Sequence, residues 1–228
     1  MEAEPLSGIR ACVFDAYGTL FDCASAAARC RDIIGEKLEP FNALWREKQL
    51  QYTWLRVSQD RHADFWQVTG DALDYAMESF GIVSPTLREH LMHLYLTLDT
   101  FPEVARTLAK LKAAGFKTAI LSNGSPAMLS AAVEGSKIAH LIDMVLSVEE
   151  VGAYKPHPSV YRLAHERLGI DSDAIAFSSS NAWDAHAASA SGMRVVWCNR
   201  YSQKRERLPG NPDREIRSLD EFPRLVGA

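Results

Sequence analysis

The sequence has no long hydrophobic run: no apolar stretch approaches the roughly 18 residues that a membrane span requires. It has no surplus of positive charge either. With 25 Lys and Arg against 29 Asp and Glu its formal net charge is −4, which excludes the basic field that nucleic-acid binding needs. Cysteine is scarce, and its four copies (Cys12, Cys23, Cys30 and Cys198) show no CxxC spacing and no accompanying histidine ladder. Cys12 within an apolar run and Cys198 beside Trp197 read as buried free thiols rather than a bridge. Residues 1–5 carry two glutamates and no basic stretch, so no secretory leader is expected and a reduced, cytoplasmic protein fits. Internal repeats and low-complexity tracts are absent. What remains is an ordinary globular composition: 228 residues, 47% apolar and 24% charged, too rich in Leu, Ile, Val and Phe for a disordered chain. A chain of this length buries about 70% of its extended surface on folding, so its core needs no metal or disulfide staple. One large domain, or one domain with an inserted subdomain, is expected.

Short continuous apolar runs recur at residues 10–14 (RACVF), 117–121 (KTAIL), 144–147 (MVLS), 174–178 (AIAFS) and 194–198 (RVVWC). Strands buried on both faces of a parallel sheet read this way. Helical patterns at 103–114, 126–134, 159–168 and 182–191 separate the later runs, and Gly115 closes the first of them. The alternation predicts an α/β fold with a Rossmann-like, doubly wound parallel sheet. The rhythm breaks once. About 100 residues part the first run from the second, and helical patterns at 38–58, 60–68, 71–80 and 86–98 fill the gap. The expected organisation is an α/β core of residues 1–20 and 99–228, with an inserted helical cap of residues 20–98.

The 38–58 helix is apolar on two sides. Phe41, Leu44, Trp45, Tyr52 and Leu55 form one stripe. Leu50, Trp54 and Val57 lie nearly opposite, with Arg46 at the head of that second stripe. A helix of this kind contacts two partners. Periodicity alone leaves Arg46 open between a snorkelling surface residue and a group turned toward the core.

Chemistry gathers at the strand ends. Residues 13–22 read VFDAYGTLFD, so Asp15 leaves a buried strand and enters a turn with Gly18 and Thr19. Ligands of open α/β sheets bind at the carboxyl ends of strands. Asp15 there suits a nucleophile or a metal ligand, with an N-cap for the next helix as the plainer alternative. Ser122-Asn123-Gly124 follows KTAIL, and Lys155-Pro156-His157-Pro158 follows MVLS after a short turn. Ser179-Ser180-Asn181 ends AIAFS, with Asp184 one turn on. Any one of these segments is weak, but four in order on the right ends of alternating strands indicate a single cleft.

In this order DxYGT, SNG, KPxxxVY and SSNxWD, the sequence resembles the haloacid dehalogenase superfamily. More narrowly it is similar to the type II L-2-haloacid dehalogenases, through Trp45-Arg46, Lys48-Gln49-Leu50 and Tyr52-Thr53-Trp54, through Tyr161, and through Asn181-Ala182-Trp183-Asp184. The resemblance covers essentially the whole chain. Phosphatases of the superfamily place a second aspartate two residues after the nucleophile, as acid for an alcohol leaving group, and use Mg²⁺ against phosphate charge. Tyr17 stands there instead. A departing halide needs no proton, and a monoanionic haloacid needs no divalent metal.

The resemblance implies hydrolysis of short-chain (S)-2-haloacids with inversion, without metal or cofactor, in a homodimer. It implies that Asp15 attacks C2 and that Thr19 supports the nucleophile turn. Arg46 receives the halide, with Asn123 and Trp183 completing the cradle. Ser122 and the N–H groups near Ala16 and Tyr17 hold the substrate carboxylate. Lys155, hydrogen-bonded to Asp15, Tyr161 and Ser179, keeps the nucleophile ionised, and Asp184 with Asn181 positions water. Dimerisation through the cap is expected from the same resemblance and from Tyr52, Trp54, Phe65 and Trp66. Glu47 either pairs with Arg46 or points to solvent, with solvent favoured, and His186 is read as a helix-surface residue in preference to a contact with halide or water. The rival readings are a Mg²⁺-dependent phosphatase and a non-catalytic small-molecule binding protein.

Overall fold

The computed structural model describes residues 4–23 and 28–228; residues 1–3 and 24–27 of the expected core and cap lie outside that description. β1 (Ala11–Phe14) is buried at all four positions, because it runs parallel between two other strands. On one side lies β2 (Lys117–Ser122) and then β3 (Met144–Ser147). On the other lie β4 (Ile175–Ser179), β5 (Arg194–Cys198) and β6 (Arg214–Ile216). The order is β3-β2-β1-β4-β5-β6, and every pairing is parallel. This is an α/β, doubly wound sheet. Successive strands step outward in one direction from β1 and then in the other, so β1 and β4 flank the switch point where a crevice opens at the carboxyl edge.

Every described helix or strand between β1 and β2 is helical. A single turn α1 (Arg31–Ile34) leads into α2 (Leu38–Ser58), whose bounds match the sequence expectation. The expected helices at 60–68 and 71–80 are one helix, α3 (Phe65–Ser79), started by the Asp64 side chain accepting from the Gln67 N–H. Gly70 did not break it. α4 (Pro85–Leu94) is capped by Ser84 and stops four residues short of the expected end. α5 (Val104–Ala113) returns the chain to the sheet.

Three helices of the sheet region place the site. α6 (Pro126–Gly135) starts from the Ser125 hydroxyl and α7 (Pro158–Leu168) from His157, each with proline in its first turn. α8 (Ala182–Ala190) has Asn181 at its N-cap but no side-chain cap bond. The chain closes with α9 (Phe222–Val226). β6 was not visible in sequence, since a three-residue edge strand reading REI carries no buried apolar run.

Candidate active site

The turn after β1 is held by one carbonyl. Ala16 O accepts from the N–H groups of Thr19, Leu20 and Phe21, and Gly18 sits at φ 83°, where only glycine is unstrained. No protein acceptor among the described residues takes the N–H of Ala16 or Tyr17, so two donors are left at the strand end. Asp15, 6% exposed, is gripped unevenly. Its Oδ2 accepts from Thr19 Oγ1 at 3.1 Å, Ser179 Oγ at 3.2 Å and Asn181 Nδ2 at 2.8 Å. Among the described residues its Oδ1 accepts only from Lys155 Nζ, at 3.1 Å. Asn181 thus gives the carboxylate the side chain that its position would ordinarily give to the helix.

Lys155 differs from its expected bonding. Its ammonium bridges two carboxylates, Asp15 and Asp184 Oδ2 at 2.8 Å. Tyr161 donates instead to Asp184 Oδ1 at 2.7 Å, and Ser179 to Asp15. The reason is acceptor strength: buried hydroxyls and an ammonium all point at anionic oxygen rather than at one another. Burial opposes the charge on Lys155, but Asp15 and Asp184 outweigh it and raise the lysine pKa. Burial raises the Asp184 pKa, with the ammonium pulling against it.

The opposite wall comes from α2 and α3. Arg46, Leu50 and Phe65 line one small cavity with Asp15, Tyr17, Ser122, Asn123, Lys155, Asn181 and Trp183. The second stripe of α2 therefore faces the sheet. The cavity measures about 10 Å³, room for about one water. Arg46 Nη1 donates to Gln49 Oε1 at 2.5 Å, and Gln49 is fixed in turn by Thr69 Oγ1 at 2.8 Å. Among the described residues Arg46 has no carboxylate at ion-pair distance. Glu47 is exposed and does not pair with it. Asn123 Oδ1 accepts the Lys155 N–H at 3.0 Å, which fixes which end of its amide is free to donate. Trp183 is held edge-on by Trp54 of α2, with ring centroids 5.6 Å apart.

Every site residue singled out in the sequence lies in or against this cluster. Ala16, wholly buried, and Thr19 belong to the turn that follows β1, and Ser122 Oγ accepts the Gly124 N–H at 3.1 Å. Leu50, Phe65 and Gln49 were missed as cavity and support residues. Leu50 carried a signal in the second stripe; the other two lie on faces that only tertiary packing selects. His186 is corrected. It is 2% exposed, not a surface residue, and neither ring nitrogen has a partner among the described residues; Gly210 closely approaches the α8 backbone at the same position.

Residues 9–192 match the family model of haloacid dehalogenase-like hydrolases. The chain is 44% identical over 219 residues to (S)-2-haloacid dehalogenase 1 of Pseudomonas sp. (strain CBS-3), covering 96% of each chain. It is 41% identical to (S)-2-haloacid dehalogenase 4A of Burkholderia cepacia, covering 95% of this chain and 94% of that one. The structure also superposes on L-2-haloacid dehalogenase from Xanthobacter autotrophicus with chloropropionic acid covalently bound. The TM-score is 0.90 at 35% identity, covering 96% of this chain and 99% of that one.

Proposed function

Because this chain belongs to the haloacid dehalogenase-like hydrolase family, we propose that it hydrolyses short-chain (S)-2-haloalkanoic acids to (R)-2-hydroxyalkanoic acids and halide, through an ester on Asp15. The observation that carries the reading is the pairing, in one small cavity, of a fully oriented carboxylate with a guanidinium that has no carboxylate at ion-pair distance among the described residues. A guanidinium beside apolar surface and without a carboxylate is a receptor for an anion.

The two oxygens of Asp15 divide the work. Oδ1, with Lys155 as its single donor among the described residues, keeps lone pairs free and attacks C2 in line. The carbon–halogen electron pair leaves with the halide onto Arg46, with Asn123 and the Trp183 edge beside it. Orientation and desolvation of this kind supply about 7–11 kcal/mol. Oδ2 becomes the carbonyl oxygen of the ester, and its three neutral donors, Thr19, Ser179 and Asn181, then stabilise the oxyanion formed when water adds to the carbonyl carbon. Asp184, oriented by Tyr161 and Lys155, takes the proton of that water. Collapse passes the remaining proton of that water to the departing oxygen, expels the 2-hydroxy acid and restores the Asp15 carboxylate, and Asp184 releases its proton to solvent. The substrate carboxylate is held by Ser122 and by the free N–H groups of Ala16 and Tyr17.

The phosphatase reading lacks its acid: Tyr17 is 3% exposed, and burial holds its hydroxyl well above the ordinary tyrosine range. The same proposal includes an α/β core of residues 1–20 and 99–228 closed by a cap of residues 20–98, and a homodimer formed through that cap. Trp54 and Tyr75 are exposed there and Tyr52 and Trp66 half-buried, whereas Phe65 packs inward on Tyr17 and Tyr154 and is not available. A cytoplasmic location is supported by four free cysteines. Among the described residues no helix is long and apolar enough to cross a membrane. The test is halide release from a panel of 2-haloacids, both enantiomers, with EDTA present. Release from the (S) forms is expected; no release from any, or EDTA-sensitive release of phosphate from phosphomonoesters, would overturn the reading.

A further inference from the structure

The reaction cavity is closed: at about 10 Å³ it admits no haloacid until one of its walls moves. Two of its walls face a larger space. One is made of Tyr17, Arg46 and Asn181, with a chamber of about 200 Å³ behind it. Asn181 holds Asp15 Oδ2 and Gln49 holds Arg46, so moving that wall would dismantle the group that attacks. The other is Trp183, which also lines a surface groove of about 710 Å³ with Trp54, Pro156, Pro158, Arg162 and Leu208. There α2 meets the sheet region through the edge-on contact of Trp54 with Trp183. Among the described residues neither indole N–H donates a hydrogen bond, and Trp54 is 40% exposed. Parting a ring pair of this kind shifts an opening equilibrium by only about two- to tenfold. Of the two walls, Trp183 with Trp54 is the one that can yield while Asp15 stays in place.

We infer that this groove takes the alkyl chain of longer (S)-2-haloacids, and that Trp54 sets the chain length the enzyme accepts. The inference rests on the dehalogenase reading. The second stripe of α2 marks the path: Arg46 and Leu50 line the reaction cavity, and Trp54, one turn past Leu50, lines the groove. The carboxylate and the halogen of a 2-haloacid occupy C1 and C2, so the chain from C3 onward is the part left to leave the cavity. Swinging Trp54 off Trp183 joins the two spaces, and the chain then lies against Pro156, Pro158 and Leu208. The groove suits that occupant. Ligand clefts measure about 300–1,000 Å³ and are mostly apolar, with a few placed polar groups. Among the described residues no carboxylate lines this one, and Arg162, exposed and without an ion-pair partner, puts a cation at its edge that favours an anionic acid. The cap dimer is left to the other side of α2, where Tyr52 and Tyr75 pack on one another from the first stripe.

The test is halide release from (S)-2-chloropropionate and (S)-2-chlorooctanoate, read as the ratio of their kcat/KM values in wild type, in Trp54→Ala and in Trp54→Ala with Leu208→Gln added. Trp54 and Leu208 are 40% and 47% exposed and line the groove but not the reaction cavity, so neither substitution empties the core. The octanoate-to-propionate ratio should rise about tenfold in Trp54→Ala, the upper end of what the ring contact holds closed. Adding Leu208→Gln should lower it again by about tenfold, since part of a leucine's apolar contact with the chain is lost, with the chloropropionate value unchanged. A ratio that either substitution leaves unmoved, or no release from chlorooctanoate in wild type and Trp54→Ala alike, would overturn the groove and leave the dehalogenase reading intact. A changed mass of Trp54→Ala by light scattering would place Trp54 at a subunit contact and overturn its role too. Absence of halide release from both acids in every protein would overturn the dehalogenase reading and the chain-length role with it.

Discussion

Replacing Lys155 by Met removes an ammonium that is 1% exposed from between two carboxylates whose side chains are 8% and 0% exposed. At separations of 3.1 and 2.8 Å each contact is worth about 5 kcal/mol at an effective dielectric near 20. Most of that offsets desolvation, so the net loss on breaking such a pair is about 3–5 kcal/mol. The sign with pH follows from linkage. Without Lys155, burial and the repulsion of Asp15 hold the Asp184 pKa further above its unfolded value, so the penalty grows as pH rises through and above the ordinary carboxylate range. Urea unfolding should therefore show a larger deficit for Lys155→Met at about pH 8 than at about pH 5, and Asp184→Asn in the same background should recover part of it. Breaking the exposed Arg88–Asp74 pair, 42% and 45% exposed, should change stability by about 0–1 kcal/mol. A deficit below about 1 kcal/mol for Lys155→Met, or one independent of pH, would refute the idea that this ammonium holds two ionised buried carboxylates.

Three further outcomes follow from the same geometry. Arg46→Ala should lose about 2.7–4 kcal/mol of transition-state stabilisation in kcat/KM, and Arg46→Lys should recover it only in part because the planar fork is gone; wild-type turnover in the Ala variant would remove Arg46 from the chemistry. Turnover should fall as pH drops through the Asp184 pKa, which burial raises above the ordinary carboxylate range, and Lys155 should impose no alkaline loss until above the ordinary lysine range, as stopped-flow pH profiles would show. Gly124→Ala would place a Cβ 2.9 Å from the Tyr17 ring and hydroxyl, so an overpacking loss of about 1–3 kcal/mol is expected in thermal unfolding, and an unaltered Tm would contradict that fit.

Much of this was legible in the chain because strands buried on both faces leave apolar runs and because site residues follow those runs directly. β3 and β5 carry the bounds their runs predict, and Asp15, Ser122 and Ser179 sit at or just past strand ends. Arg46 was ambiguous by periodicity and was resolved by its helix packing on both sides. What stayed hidden depends on tertiary contact. Nothing local announces that Arg200, following β5, reaches the Thr19 carbonyl at 2.9 Å and pairs with Glu103. Nor does sequence separate a histidine on a solvated helix face from His186, which is 2% exposed. The direction of the Lys155 bonds was legible as chemistry but not as geometry, since only the fold decides which oxygens surround an ammonium.

The central claim is an ester on Asp15, and a single turnover in H₂¹⁸O with enzyme in excess over (S)-2-chloropropionate tests it most directly. Water adds to the Asp15 carbonyl carbon, so the label should appear in the Asp15 carboxylate, as added mass on the peptide containing residues 13–22, while the hydroxyl of the product stays unlabelled. Label found in the 2-hydroxy acid during that first turnover, with Asp15 unlabelled, would mean that water attacks C2 itself and would contradict the account.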